Sequence, residues 1–160
     1  MQSTKDAMAD ELRQLYIEKG LAERFWDSTT PVALWRAQNK TDFDAGGIVL
    51  QPHPGSQTRL PDIKVVDRDN QLIVLGCRCI RGDFRGVSTF DMKVTWFGSR
   101  TTKHFKIPAN TKIEDGLAVT KDYKNSQGAF HYTIAPKDDM PLPLFLQHLK
   151  VMSARATLEL

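Results

Sequence analysis

His131 and Thr133 stand at alternate positions of Gly128-Ala-Phe-His-Tyr-Thr-Ile-Ala-Pro136. A strand there would send an imidazole and a hydroxyl off the same face of a sheet. Phe130, Tyr132 and Ile134 fill the intervening positions, and aromatic and β-branched residues at period two between Gly128 and Pro136 read as a strand. A histidine placed this way serves either as a general base at a site or as a packed residue of a core. A second set of polar groups lies upstream, where the glycine-bearing loop Arg81-Gly-Asp-Phe-Arg-Gly86 runs into Val87-Ser-Thr-Phe-Asp91. Such a junction can offer backbone N–H groups and the Ser88 and Thr89 hydroxyls to a ligand. Alternatively, the two hydroxyls cap a short helix over Phe90-Asp-Met-Lys93. The third candidate is Arg36, which shares a face with Val32 and Leu34 on the strand Val32-Ala-Leu-Trp-Arg-Ala37. A guanidinium among apolar neighbours requires an anionic partner, either a nearby Asp or a ligand's phosphate or carboxylate.

Several chemistries are excluded by what is missing. The sequence contains no P-loop, no G-x-G-x-x-G, no H-E-x-x-H and no G-x-S-x-G. Its four histidines, His53, His104, His131 and His148, show no metal-ligand spacing, so no metal site is expected. Cys77 and Cys79 sit one residue apart in an apolar run, side by side on a strand and unable to close a relaxed disulfide with each other. They read as buried thiols of a protein folded in a reducing compartment. The balance of 22 basic and 19 acidic residues is too even to argue nucleic-acid binding. No apolar run approaches a membrane span and no hydrophobic signal region opens the chain, so a soluble protein without a cleaved signal peptide is expected.

The elements that position these groups follow from the pattern. Residues 3 to 26 read as one or two helices with Met8, Leu12, Leu15, Tyr16, Lys19 and Leu21 approximating one stripe. Residues 38 to 62 are loop-rich, Asp67-Arg-Asp-Asn70 is a turn, and residues 71 to 80 form a buried strand. Residues 94 to 107 read as two strands, 117 to 119 as a short one, and 121 to 128 as a polar loop. Residues 144 to 152 read as a helix burying Leu144, Leu146, Leu149 and Met152. The final Leu158-Glu-Leu supports no reading. Helices, then short strands, then a helix describe an α+β domain, with an N-terminal helical segment at 1–30 and the main domain at 31–160.

The residues that follow also resemble a known family. Ile107-Pro, Lys121-Asp-Tyr-Lys124, Phe130-His-Tyr-Thr-Ile134, Ala135-Pro-Lys137 and Leu146-Gln-His-Leu149 are similar in order and spacing to the Tse-two toxins, type VI secretion effectors with a fold related to ADP-ribosyltransferases. Leu34-Trp-Arg-Ala37, Leu60-Pro-Asp-Ile63 and Gly86-Val-Ser-Thr-Phe-Asp91 extend the likeness upstream. The resemblance implies an ADP-ribosyltransferase-like split β-sheet holding NAD in a cleft between its halves. It also implies a bacteriostatic toxin acting in the target-cell cytoplasm on an unknown macromolecule. A secretion machinery component would deliver it, and an immunity protein would restrain it in the producer. Carried over by position, the family's strand arginine falls on Arg36, its hydroxyl pair near Ser88, and its cleft histidine on His131. The family's Thr-Ser is Val87-Ser88 here with Thr89 following, a one-residue slide that on a strand changes face. Arg36 would then anchor a pyrophosphate or ribose oxygen, Ser88 and Thr89 the nicotinamide side. His131, with Tyr132 or Thr133, would hold a hydroxyl or position the nucleophile. No clear catalytic glutamate stands nearby: Glu114 is the first candidate, with Asp115 and Asp122 behind it. Two other readings use the same residues, a toxin or adaptor that acts by binding alone and an endonuclease pairing His131 with Lys121 or Lys124.

Overall fold

The computed structural model describes residues 25–38, 50–58, 60–76, 86–94 and 103–159. The helices expected over residues 3 to 24, and Cys77 and Cys79, lie outside the described residues. Among the described residues there are ten strands and one helix: β1 (Phe25–Trp26), β2 (Leu34–Gln38), β3 (Val65–Arg68), β4 (Gln71–Val74), β5 (Val87–Phe90), β6 (Lys103–Ile107), β7 (Leu117–Lys124), β8 (Phe130–Pro136), β9 (Met140–Pro141), α1 (Leu142–Ser153) and β10 (Thr157–Glu159). Seven strands form an antiparallel sheet in the order β1-β7-β8-β5-β2-β6-β10, and β3-β4-β9 form a second, three-stranded sheet. The α+β class therefore holds.

The two longest strands, β7 and β8, make a hairpin. Its turn is set locally: Asn125 Oδ1 accepts the N–H groups of Gln127 and Ala129, each at 2.9 Å. Gly128 sits at φ 84°, a left-handed conformation that a side chain would strain. The β3–β4 hairpin closes through Asp69 and Asn70, both with positive φ, the mirror-image turn that matches strand twist.

Period two then divides the sheet. On one face Leu34, Val87, Tyr132, Ile134, Leu117, Val119 and Ile107 join a single apolar core with Phe145, Leu149 and Met152 of α1. The helix buries Phe145 with Leu149 and Met152, whereas Leu144 and Leu146, expected inside, are exposed. Spacing of i, i+4 and i+7 from Phe145 gives the stripe its true position, and Leu144 and Leu146 flank it. Pro141 and Pro143 enter this helix where the first N–H groups have no intrahelical acceptor to lose.

Several segments depart from the sequence reading. Phe25 and Trp26 form β1 against Val119 and Thr120 rather than ending a helix. Residues 87 to 90 are a strand, so Ser88 and Thr89 cap nothing. Lys121 to Lys124, read as the start of a loop, continue β7, and Leu158-Glu159 belongs to β10, paired with His104 and Phe105 of β6.

Candidate functional site

The face of the seven-stranded sheet opposite the apolar core carries the chemistry. In the β5–β8 register Ser88 lies across from Thr133 and Phe90 across from His131, so these four share a face. Thr120 of β7 lies across from Thr133 and joins them. Between Lys121 and Lys124 the β7–β8 register shifts, so that Asp122 and Tyr123 together oppose His131. This is a β-bulge, and its effect is to aim two successive side chains at one imidazole.

The result is a linear hydrogen-bonded chain. Ser88 Oγ is 2.9 Å from His131 Nε2, and His131 Nδ1 is 2.7 Å from Asp122 Oδ2. The Thr133 hydroxyl donates to the same Asp122 oxygen, and Thr120 donates to the other at 2.8 Å. The Asp122 side chain is 1% exposed and that of His131 6%. A carboxylate only accepts, so Nδ1 carries a proton, and in the neutral imidazole Nε2 then presents a bare lone pair to Ser88. In that form the Ser88 O–H donates to Nε2. The arrangement is that of a hydroxyl activated by an imidazole that a buried carboxylate orients. Two threonine hydroxyls in turn fix the carboxylate, which gives the chain a supporting shell.

Aromatic rings flank the imidazole. Tyr123 stacks on it with centroids 4.8 Å apart and planes within 6°, and Phe90 meets it edge-on at 5.2 Å. Tyr123 is 47% exposed while His131 is buried, so the tyrosine ring covers one side of the base. Burial first, and then the Asp122 carboxylate, hold the Tyr123 phenol above its ordinary range, so it stays a neutral O–H at physiological pH.

Two backbone features lock β5 beside β8. Asp91 Oδ1 accepts the Phe130 N–H at 2.9 Å, and Asp91 N–H donates to the Phe130 carbonyl. At Gly86 a Cβ would stand 2.4 Å from Thr133 Cγ2 and 2.6 Å from the Ile134 carbonyl. Only a residue without a side chain lets β5 start this close to β8 and carry Ser88 to His131.

The expected site residues thus divide. Ser88 and His131 are brought into direct contact. Thr89 and Tyr132 are turned to the core face: Thr89 is fully buried and donates to the Tyr132 carbonyl at 3.1 Å, and Tyr132 packs in the core against Trp26. Being next in sequence to the reactive pair is the reason, because neighbours on a strand face opposite ways. Arg36 shares the side of Leu34, since the Trp35–Phe90 pairing puts Trp35 on the His131 side. Its Nη1 donates to the Ser88 carbonyl and its Nη2 to the Gln51 carbonyl, each at 2.7 Å, tying β5 to the segment around Leu50. It joins the cluster through the backbone of Ser88 and not through the Ser88 hydroxyl.

Glu114 precedes β7 and pairs with Arg155 at 3.1 Å. From Leu117 at that end of the strand to Asp122 is roughly 17 Å of extended chain. Asp122, ranked behind Glu114 in the sequence, is the carboxylate beside the histidine. Lys121 and Lys124 both reach over the Phe130 ring, at 4.1 and 5.7 Å, on the side away from His131. The pairing of His131 with either lysine is thus a pairing across the sheet. Among the described residues no group of three or more His, Cys, Asp or Glu could hold a metal ion, and no helix is long and apolar enough to cross a membrane.

Compared with known proteins, the chain matches the family model described as Tse2 ADP-ribosyltransferase toxin over residues 14–157, which spans every described strand and the helix except the last residues of β10. No curated protein matches it.

Proposed function

The chain belongs to the Tse2 ADP-ribosyltransferase toxin family, and from that premise we propose that it is a toxin that cleaves the nicotinamide–ribose bond of NAD at the Ser88–His131–Asp122 chain. The observation that carries this reading is the hydrogen-bonded line from Ser88 Oγ through His131 to a buried carboxylate, on the face of the seven-stranded sheet opposite the apolar core. NAD is a substrate here, and the groups present suit its nicotinamide riboside end. Polar Ser88 and His131 offer a hydroxyl and an imidazole to ribose or amide atoms, and the rings of Tyr123 and Phe90 offer apolar planes beside them. Arg36, with its forked donors on the carbonyls of Ser88 and Gln51, organises the strand that bears Ser88.

Catalysis under this reading rests on positioning and on one base. Asp122 fixes the imidazole tautomer and stabilises it when it takes a proton. General base catalysis of this kind contributes about 10²–10⁴-fold. The toxin acts in the cytoplasm of a target cell after delivery by a secretion machine, and an immunity protein neutralises it in the producer.

Growth after induced cytoplasmic expression tests the reading. Wild type arrests growth and consumes NAD, while His131→Ala, folded and equally abundant, does neither. Arrest by both alike would remove the cleft chemistry and favour a toxin that acts by binding.

A further inference from the structure

The structure constrains what receives the ADP-ribose. We infer that the acceptor at this site is a neutral O–H group, water or an alcohol, whose proton passes through Ser88 to His131; this rests on the NAD-cleaving reading above. An acceptor guanidinium or ammonium is cationic and calls for a carboxylate facing it. The carboxylate of this cluster cannot do so, because Asp122 lies behind the imidazole, its side chain 1% exposed and its oxygens engaged by Thr120, Thr133 and His131. A carboxylate acceptor is already an anion and needs no base, and the bare lone pair of Nε2 repels it. A neutral hydroxyl must lose one proton to become a nucleophile, and the chain is built to remove one from an oxygen. Ser88 Oγ, 2.9 Å from Nε2, already demonstrates the fit of an alcohol oxygen to this base. Ser88 is half-buried while His131 is buried, so Ser88 is the end of the chain that meets an incoming group.

The step balances without a further reactant. The acceptor oxygen forms a bond to the anomeric carbon of the nicotinamide ribose as the carbon–nitrogen bond to nicotinamide breaks. The bonding pair leaves with the ring nitrogen, which turns the cationic pyridinium into neutral nicotinamide. The acceptor's proton moves to Ser88 Oγ as the Ser88 proton moves to His131 Nε2, and the resulting imidazolium is held by Asp122. With water as acceptor the product is free ADP-ribose; with an alcohol it is an O-glycoside.

The experiment incubates the full chain with NAD labelled in its adenylate phosphate and a bacterial lysate. Released nicotinamide is measured, and labelled macromolecules are treated with neutral hydroxylamine or mercuric ion and mapped by mass spectrometry. The expected result is nicotinamide release with the label either in free ADP-ribose or on oxygen of an alcohol, resistant to both reagents. Ser88→Ala and His131→Gln, checked for unchanged melting, lower the transfer by about 10²-fold or more. Label that hydroxylamine removes, or that maps to Arg, Lys, Asp or Glu, overturns the inference and leaves NAD cleavage standing, as does label that mercuric ion removes from Cys. These outcomes come from wild type, so a variant that fails to fold does not blunt the test. Absence of nicotinamide release overturns both the inference and the reading it rests on.

Discussion

Strands β5 and β8 have two faces that share a backbone and differ in everything else. One carries Val87, Thr89, Tyr132 and Ile134 and is sealed in the apolar core. The other carries Ser88, Phe90, His131 and Thr133 and holds the hydrogen-bonded chain. The core face makes the strands rigid, and the polar face uses that rigidity to keep a hydroxyl, an imidazole and a carboxylate in line. A residue's contribution to stability or to chemistry should therefore flip with every step along the strand.

The largest effect expected from breaking that contrast is on the polar face. Asp122→Asn keeps shape but can donate to Nδ1, which moves the imidazole proton to Nε2 and points a donor at Ser88. NAD turnover should fall by about 10²–10⁴-fold with circular dichroism and melting close to wild type. Nitrogen NMR of the His131 ring should show the tautomer change directly. A core-face substitution should do the reverse. Ile134→Ala, at a fully buried position, should cost about 2–5 kcal/mol in urea unfolding while turnover per folded molecule is kept.

How much of this was legible in the sequence follows from which contacts are local. The His131 strand could be read because alternation of Phe130, Tyr132 and Ile134 is a local signal. The helix at 142–153 could be read for the same reason, although its stripe centres on Phe145 rather than on Leu144 and Leu146. Asp122 could not be ranked, because Lys121-Asp-Tyr-Lys124 is as polar as a loop and its partner arises only when the hairpin closes. A signal was present: Thr120 and Asp122 alternate before Asn125 and Gly128, and folding the chain back on that turn sets Asp122 against His131. The bulge that adds Tyr123 leaves no sequence mark. Thr89 and Tyr132 neighbour Ser88 and His131 in sequence, and the strand's period of two turns them to the other face.

Smaller effects sharpen the same comparison. Thr89→Val removes the hydroxyl bonded to the Tyr132 carbonyl on the core face. It should cost about 1 kcal/mol and leave turnover unchanged, whereas Ser88→Val one residue earlier should abolish it. The smallest effect is at alkaline pH. The Tyr123 phenol is held above its ordinary value of 10.0 by burial and by Asp122. Stability linked to it is therefore whole below that value and is lost as pH rises through the higher folded-state value, since the unfolded chain ionises first. Melting of wild type should fall more steeply than that of Tyr123→Phe above about pH 10.

The most direct test of the account is nicotinamide release from NAD by purified wild type beside His131→Ala of equal melting temperature. Wild type should release nicotinamide steadily, and the variant should be slower by about 10²-fold or more. Equal release by the two, or none from a wild type that still arrests growth, would contradict it.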